Sequence, residues 1–332
     1  MVRRLNRGWI LVPAAAALAV ALGARFVHTQ TTPPAATGVV VIETRLGFEA
    51  AAAAGTGIVL PSDRVLTNNH VIRGATAVRV LVPRTRRTYV ARVLGYSPDA
   101  DVAILSVPKN TAIPTAPLGR SAGVQLGDPV RAVGNAGGTG SLVTTSGNIT
   151  GLGKRITASD DQGATEQLSG LIETSASLRP GDSGGPLEDR LGRVIGIDTA
   201  ASHGFVFSSS RGLGFAIPID RALDVAQRIG AGRTTATVHV GPTAFLGVQV
   251  ARSASVTGGL VEAVVTGSPA DRAGLGPGDV IVSLAGRRVA SPNALVAVLL
   301  RLVPGGTVQM RWRDRQGMTR SGPVTPSSGP PQ

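Results

Sequence analysis

The 332-residue chain contains no cysteine, which excludes disulfides, a thiol nucleophile, zinc–thiolate sites, iron–sulfur clusters and a lipidated N-terminal cysteine. Aromatic residues are scarce, at six Phe, two Trp and two Tyr. Base stacking needs aromatic platforms, so no nucleic-acid partner is expected despite a net charge of +13. That charge is also dispersed: residues 1–30 carry +4, residues 31–241 carry +4 and residues 242–332 carry +5, with no arginine-rich arm. Lysine is nearly missing, Lys109 and Lys154 being the only two among 33 basic residues. The arginine and alanine preference fits GC-rich coding better than a phosphate-binding design. With 42% hydrophobic and 16% charged residues, the chain is neither disordered nor a multi-span membrane protein.

What is abundant is glycine, 44 residues, together with 22 prolines and many β-branched side chains. That mixture favours short strands and tight turns, so the expected class is mostly β. At ~150 residues per domain the length suggests two domains. Arg3, Arg4 and Arg7 precede an uncharged apolar run over residues 8–24. A basic flank before a short apolar stretch marks an export segment over residues 1–30, either a cleaved signal peptide or a retained membrane anchor. Residues 31–37, with Pro33 and Pro34, read as a tether. Short apolar or alternating runs follow at 39–42, 56–60, 78–82, 102–107, 129–133 and 194–198, a spacing that suits antiparallel barrels or a sandwich. Residues 219–229 are the first good helix, with Asp220 placed to cap it and glycines at 230 and 232 to close it. Residues 234–242 read as a linker between a domain at 38–233 and one at 243–324, which holds a helical stretch at 291–302. The Pro/Ser/Gly-rich residues 325–332 read as a disordered tail.

Four histidines are present. His28 lies in the leader, His203 in a Gly/Ser-rich loop and His239 in the linker. His70 stands in Thr67-Asn68-Asn69-His70-Val71, directly after a β run. A second segment, Gly181-Asp182-Ser183-Gly184-Gly185-Pro186-Leu187, sets three glycines around one serine. A backbone free of Cβ crowding can fold there into a turn that exposes the hydroxyl and aims the amides of Gly181 and Ser183 at one point, as an oxyanion requires. A third segment, Asp99-Ala100-Asp101-Val102-Ala103-Ile104-Leu105, places acids before a strand. A serine hydroxyl needs an imidazole to take its proton, and the imidazole needs a carboxylate to fix its tautomer. The order His, Asp, Ser is one known arrangement of that triad.

These three segments resemble the HtrA/Deg family of envelope serine proteases, with Phe215-Ala216-Ile217-Pro218 matching a further family segment. The secreted actinobacterial members with one PDZ domain look most similar, over about residues 38–320. The resemblance implies a chymotrypsin-like double six-stranded β-barrel protease domain followed by a PDZ domain. It implies His70 as general base, Asp101 rather than Asp99 as its orienting carboxylate, and Ser183 as nucleophile, with Gly181 and Ser183 forming the oxyanion hole and no cofactor or metal. By family register Leu178, Ala200, Ala201 and Leu213 line the pocket for the residue before the cut. No acid stands among them, so small to medium aliphatic residues are expected there and Lys or Arg disfavoured. Phe245-Leu246-Gly247-Val248, with Gly267-Ser268-Pro269-Ala270 and Gly278-Asp279-Val280-Ile281, resembles a PDZ loop that receives a peptide's terminal carboxylate while the peptide adds as a strand.

The expected function is therefore exported endoproteolysis of unfolded envelope or secreted proteins, membrane association being confined to the N-terminal segment. The alternative is a holdase-type chaperone or PDZ adaptor with a latent protease fold. Relatives commonly form trimers, and Phe48 is the one candidate for an aromatic trimer contact before the first triad segment. Loops at 151–167 and 202–211 are expected to control ordering of the oxyanion hole. Three departures from the family stand out. Asp182 replaces the usual Asn and needs a partner, an arginine or solvent. Ser175 replaces an Asp. The stretch 47–54 is too short for a large closed cage.

Overall fold

The six runs read as strands all coincide with strands of two closed antiparallel barrels, the run at 102–107 passing the end of its strand by one residue. The structure, a computed structural model, describes residues 36–47, 51–159, 165–199, 206–207, 213–251, 253 and 255–332. The leader (1–30), most of the tether, and Phe48 lie outside the described residues. In the first barrel β1 (Val39–Leu46), β2 (Ala51–Leu60), β3 (Arg64–Thr67), β4 (Ala77–Val82), β5 (Arg87–Ser97) and β6 (Val102–Ser106) run in the order β5-β4-β1-β2-β3-β6. Pairing of β5 with β6 closes the ring, so no edge remains open. The period-2 pattern explains why β6 is apolar throughout: Ala103 and Leu105 fill the first barrel, while Val102 and Ile104 join the core between the barrels. A single helical turn, α1 (Asn69–Ile72), follows β3.

The second barrel comprises β7 (Pro129–Gly134), β8 (Val143–Ser159), β9 (Thr165–Thr174), β10 (Pro186–Asp189), β11 (Val194–Thr199) and β13 (Gly214–Pro218), with β12 (Val206–Phe207) laid on β8. Its order is β8-β7-β10-β11-β13-β9, closed by β8 against β9. Each barrel thus has six strands, as expected, plus one added strand. The loop expected at 151–167 is instead mostly the β8–β9 hairpin. Register shifts at Gly151 and Lys154 show that bulges absorb the glycines that suggested a loop. Of the loop at 202–211, only residues 206–207 are described.

Helix α2 (Ile219–Gly230) buries Ile219, Ala222, Val225, Ala226 and Ile229 on one face against the inter-barrel core. Asp220 does not cap it. Its carboxylate instead accepts the backbone N–H groups of Ser121 and Ala122, each at 3.0 Å, and the Ser121 hydroxyl at 2.9 Å. The linker is no free tether either: β14 (His239–Val240) pairs with β5, and the buried His239 ring bonds the carbonyls of Leu300 and Gly241.

The C-terminal domain contains β15 (Thr243–Phe245), β16 (Val248–Ala251), β17 (Gly259–Val264), α3 (Pro269–Arg272), β18 (Val280–Leu284), β19 (Arg287–Arg288), α4 (Pro292–Leu299), β20 (Val308–Arg313), β21 (Thr319–Val324) and β22 (Ser327–Gly329). The main sheet runs β16-β17-β18-β20-β21 over a core that includes Leu246, Val261, Ile281, Leu295 and Trp312. Ser268 and Ser291 cap α3 and α4 by accepting the N–H of Asp271 and Ala294, each followed by a proline at the first helical position. The tail expected to be disordered is ordered. β22 pairs with β15, Pro330 and Pro331 are buried, and the Gly74 and Asn69 Nδ2 donors reach the carbonyls of Pro331 and Gln332. Its local composition offered no core, but a partner strand 82–86 residues upstream supplies the backbone bonds. Among the described residues no helix is long and apolar enough to cross a membrane.

Candidate active site

Pairing of β3 with β6 sets Thr67 opposite Ala103 and so brings the ends of both strands, with His70 and Asp101, together. Asp101 occupies the turn before β6 at φ +52°, a left-handed conformation that Asp tolerates better than most residues. The turn is fixed by its N–H to the Pro98 carbonyl, while the Asn68 amide donates to the Asp101 carbonyl at 2.9 Å. The carboxylate, 2% exposed, then grips His70 twice. Oδ1 accepts the His70 backbone N–H at 3.0 Å, and Oδ2 lies 2.8 Å from Nδ1. A proton on Nδ1 leaves Nε2 as the basic nitrogen. Thr199 Oγ1 donates to the same Oδ2 at 3.2 Å. Asp99 is exposed and only its carbonyl is engaged, by Arg221, so Asp101 alone is placed to orient the imidazole.

The Ser183 loop is a closed net of backbone bonds. Asp182 N–H reaches the Arg179 carbonyl, Gly185 N–H the Asp182 carbonyl, and Gly184 N–H the Asp198 carbonyl, while Asp198 N–H returns to Gly185 at 2.7 Å. Gly181 and Gly184 have φ of +99° and +84°. A Cβ there would sit 2.1 Å from the Asn135 carbonyl oxygen and 2.1 Å from the Thr56 carbonyl oxygen respectively, so only glycine fits. Gly55 is less tightly constrained: its Cβ would stand 2.7 Å from Val71 Cγ1, a side chain that would have to shift, and 3.2 Å from the Ser183 carbonyl oxygen. The nucleophile loop and the His70 turn therefore meet across that glycine.

Thr56 holds this loop from β2. Its N–H donates to the Ser183 carbonyl at 2.8 Å, and its hydroxyl donates to the Gly181 carbonyl at 2.7 Å while accepting the Asn135 N–H at 2.9 Å. On the other side, Gly137 N–H donates to the Pro180 carbonyl at 2.8 Å. In a trans peptide the N–H points opposite to the carbonyl. The Gly181 N–H is thus turned away from Gly137, and it donates to nothing among the described residues. This amide is available to an oxyanion. The sequence reading missed Thr56, Thr199 and Asn68. Only Thr56 carried a signal, its position between Gly55 and Gly57.

Of the pocket residues, Leu178 and Leu213 are half-buried, and Leu178 packs so closely over Gly214 that a Cβ there would lie 2.7 Å from Leu178 Cγ. Ala200 and Ala201 lie outside the described residues. Ser175, which replaces the family Asp, is taken up by Asn148, whose N–H donates to its hydroxyl at 2.9 Å. Asp182 is buried and hydrogen-bonds no arginine side chain among the described residues; its Oδ2 accepts the Arg179 backbone N–H at 2.9 Å, and the Arg179 charge acts on it as well. Burial raises the Asp182 pKa above the usual value, the Arg179 contacts only partly offsetting it.

In the C-terminal domain, Phe245 ends β15, Leu246 is buried, Gly247 has φ +80° and Val248 opens β16. The Leu246 and Gly247 carbonyls face inward, accepting the N–H groups of Ala270 and Val265, each at 2.9 Å. Gly247 N–H consequently faces away from the core and donates to nothing among the described residues. Strand β16 is at the sheet edge, open to a further strand.

Comparison with known proteins agrees with this geometry. Residues 55–197 match the trypsin-like peptidase domain family and residues 260–313 the PDZ domain family. The serine protease PepD of Mycobacterium tuberculosis is 32% identical over 302 residues, covering 86% of this chain and 63% of PepD. The chloroplastic protease Do-like 1 of Arabidopsis thaliana is 34% identical over 268 residues, covering 74% and 57%. The chain thus spans about three-fifths of the length of these curated relatives. A solved structure of the HtrA-type protease AlgW with a tripeptide is 30% identical with a TM-score of 0.51, covering 90% of this chain and 95% of that one. Two closed barrels carrying His70, Asp101 and Ser183, followed by a PDZ domain, place this chain in the HtrA family of serine proteases.

Proposed function

We propose that this chain is an exported serine endopeptidase that cleaves unfolded or damaged envelope and secreted proteins through an acyl-enzyme. The observation that carries this reading is the Asp101 carboxylate holding both His70 Nδ1 and the His70 backbone, beside a Ser183 loop whose Gly181 amide is aimed by Thr56 and Gly137. Ser183 Oγ attacks the scissile carbonyl carbon and its proton passes to His70 Nε2. The developing oxyanion takes hydrogen bonds from the Gly181 and Ser183 amides. Collapse breaks the C–N bond, and His70 returns the proton to the leaving amine. Water, deprotonated by His70, then attacks the ester and releases Ser183. Asp101 stays ionised and stabilises the imidazolium, with Thr199 holding the carboxylate.

The Leu178 and Leu213 side chains offer no charge to compensate a buried Lys or Arg, which supports cleavage after Val, Ala or Ile. The outward Gly247 amide and the open edge of β16 support capture of a substrate's C-terminal carboxylate by the second domain. The basic-then-apolar leader supports export. Digestion of unfolded casein and a peptide library, read by mass spectrometry, tests the specificity. Cuts after aliphatic residues are expected, and dominant cuts after Arg or Lys contradict the pocket.

A further inference from the structure

Three buried carboxyl oxygens behind the nucleophile loop have no partner among the described residues: Asp182 Oδ1 and both oxygens of Asp198. Asp198 is 0% exposed and Asp182 is 4% exposed. Asp182 keeps the Arg179 N–H on Oδ2, whereas neither Asp198 oxygen has a hydrogen bond among the described residues, and an ionised carboxylate so placed is strongly disfavoured and takes up a proton instead. The charged groups around the pair do not relieve it. Glu188, on β10, adds like charge and is itself occupied by Arg131 at 2.7 Å. Arg179 acts on Asp182 only. Across the next residue, Thr199, lies Asp101, already bonded to His70. Burial first, then the charges of Asp182 and Glu188, raise the Asp198 pKa well above 3.8.

We propose that Asp182 and Asp198 form a carboxyl pair that holds one proton at neutral pH, with the Asp198 O–H donating to Asp182 Oδ1, and that this pair positions the Ser183 loop. The connections support such a role. Asp182 immediately precedes the nucleophile. The Asp198 backbone bonds both Gly184 and Gly185, and its neighbour Thr199 donates to the triad carboxylate. The proton therefore engages two of the three orphan oxygens, one of Asp198 and Asp182 Oδ1, and neutralises the carboxyl group that carries the third. Loss of the proton on the alkaline side leaves two like charges buried together behind the oxyanion donors, and the loop gives way.

The sign follows from linkage. Because the folded pKa is raised, the native state holds a proton that the unfolded chain releases above about 3.8. Stability then falls as pH rises from that value through the folded pKa, by up to about tenfold in the folding equilibrium per pH unit. The pair titrates as a unit, so the proton belongs to both residues.

Two measurements test the proposal. Infrared difference spectroscopy of the full chain at pH 7 is expected to show a carboxylic-acid carbonyl band that Asp198→Asn removes and Glu188→Gln leaves in place. Urea unfolding is expected to show wild-type stability falling between pH 5 and 9 while Asp198→Asn stays flat and gains on it as pH rises. In the wild type, disappearance of the band at alkaline pH should track loss of kcat. A band unaffected by Asp198→Asn, or removed by Glu188→Gln, overturns the assignment. So do parallel pH–stability curves. If Asp198→Asn does not fold, the wild-type titration and Glu188→Gln still decide: no acid band at pH 7 refutes the pair. The infrared band and the urea curves do not depend on proteolytic activity, so they fail separately from the proposed function.

Discussion

Replacing Thr56 by valine removes one oxygen and almost no volume, yet that oxygen serves two backbone groups in a fully buried place. The Gly181 carbonyl loses its donor at 2.7 Å and the Asn135 N–H loses its acceptor at 2.9 Å. An unsatisfied buried group costs about 1–3 kcal/mol, so Thr56→Val should lower stability by about 2–6 kcal/mol. A domain stable by about 5–15 kcal/mol tolerates the lower part of that range and still folds. The effect on catalysis comes from the freed Gly181–Asp182 peptide, which no longer fixes the neighbouring Gly181 N–H against a developing oxyanion. Loss of one such donor costs about 3 kcal/mol of barrier, roughly 10²-fold or more in kcat. KM should stay within about threefold, because the interaction forms only in the transition state. The assay is steady-state hydrolysis of a peptide substrate with valine before the scissile bond, on protein shown folded by circular dichroism and urea unfolding. Thr56→Ser, which keeps the hydroxyl, should recover most of the rate. A folded Thr56→Val with kcat within a few-fold of wild type refutes the argument that Thr56 aims the oxyanion hole.

Thr199→Val removes the third hydrogen bond to Asp101; kcat should fall about tenfold, as a bond to a charged group worth about 1.5–3 kcal/mol is lost in part to water, and an unchanged kcat contradicts the role. Arg131→Met leaves Glu188 buried without its cation and should cost about 3–5 kcal/mol in urea unfolding. Burial already raises the Glu188 pKa. The folded state therefore holds its proton to higher pH, and the Arg131→Met deficit should grow from pH 5 to pH 8; a pH-independent deficit is inconsistent with this. Tyr96→Phe deletes the hydroxyl that bonds Thr243 Oγ1 at 2.9 Å and accepts the Gln332 N–H at 3.1 Å. It should cost about 1–3 kcal/mol and raise hydrogen exchange in β22, while unchanged exchange would mean the tail is held by other bonds.

The proposed triad residues stood out because each sits in a short contiguous segment whose chemistry restricts residue type: glycines that a side chain would block, an acid before a strand, a histidine after one. Strands such as β1, β6 and β11 were legible from their runs of Val and Ile. What escaped was set by distance along the chain. Thr199 is an ordinary strand residue until Asp101 arrives from elsewhere, and the glycines flanking Thr56 do not reveal that Gly181 will meet it. Asp220 reads locally as a helix cap, but the 3-10 turn at Ser121–Gly123 presents stronger donors 98–99 residues away. The β8–β9 hairpin was hidden because Gly151 and Gly153 signal a loop, whereas bulges and positive φ at Gly153 let the ladder continue. Residues 325–332 lack any apolar period, and their order comes from β15, Gly74 and Asn69.

The central claim is that Ser183 is an activated nucleophile facing formed oxyanion donors. Treating the chain with a fluorophosphonate and weighing it intact tests this directly, beside Ser183→Ala. One adduct per chain, absent from Ser183→Ala, is the predicted result. No adduct, even with unfolded casein or a C-terminal peptide present, would contradict the account and favour a binding protein built on a silent protease fold.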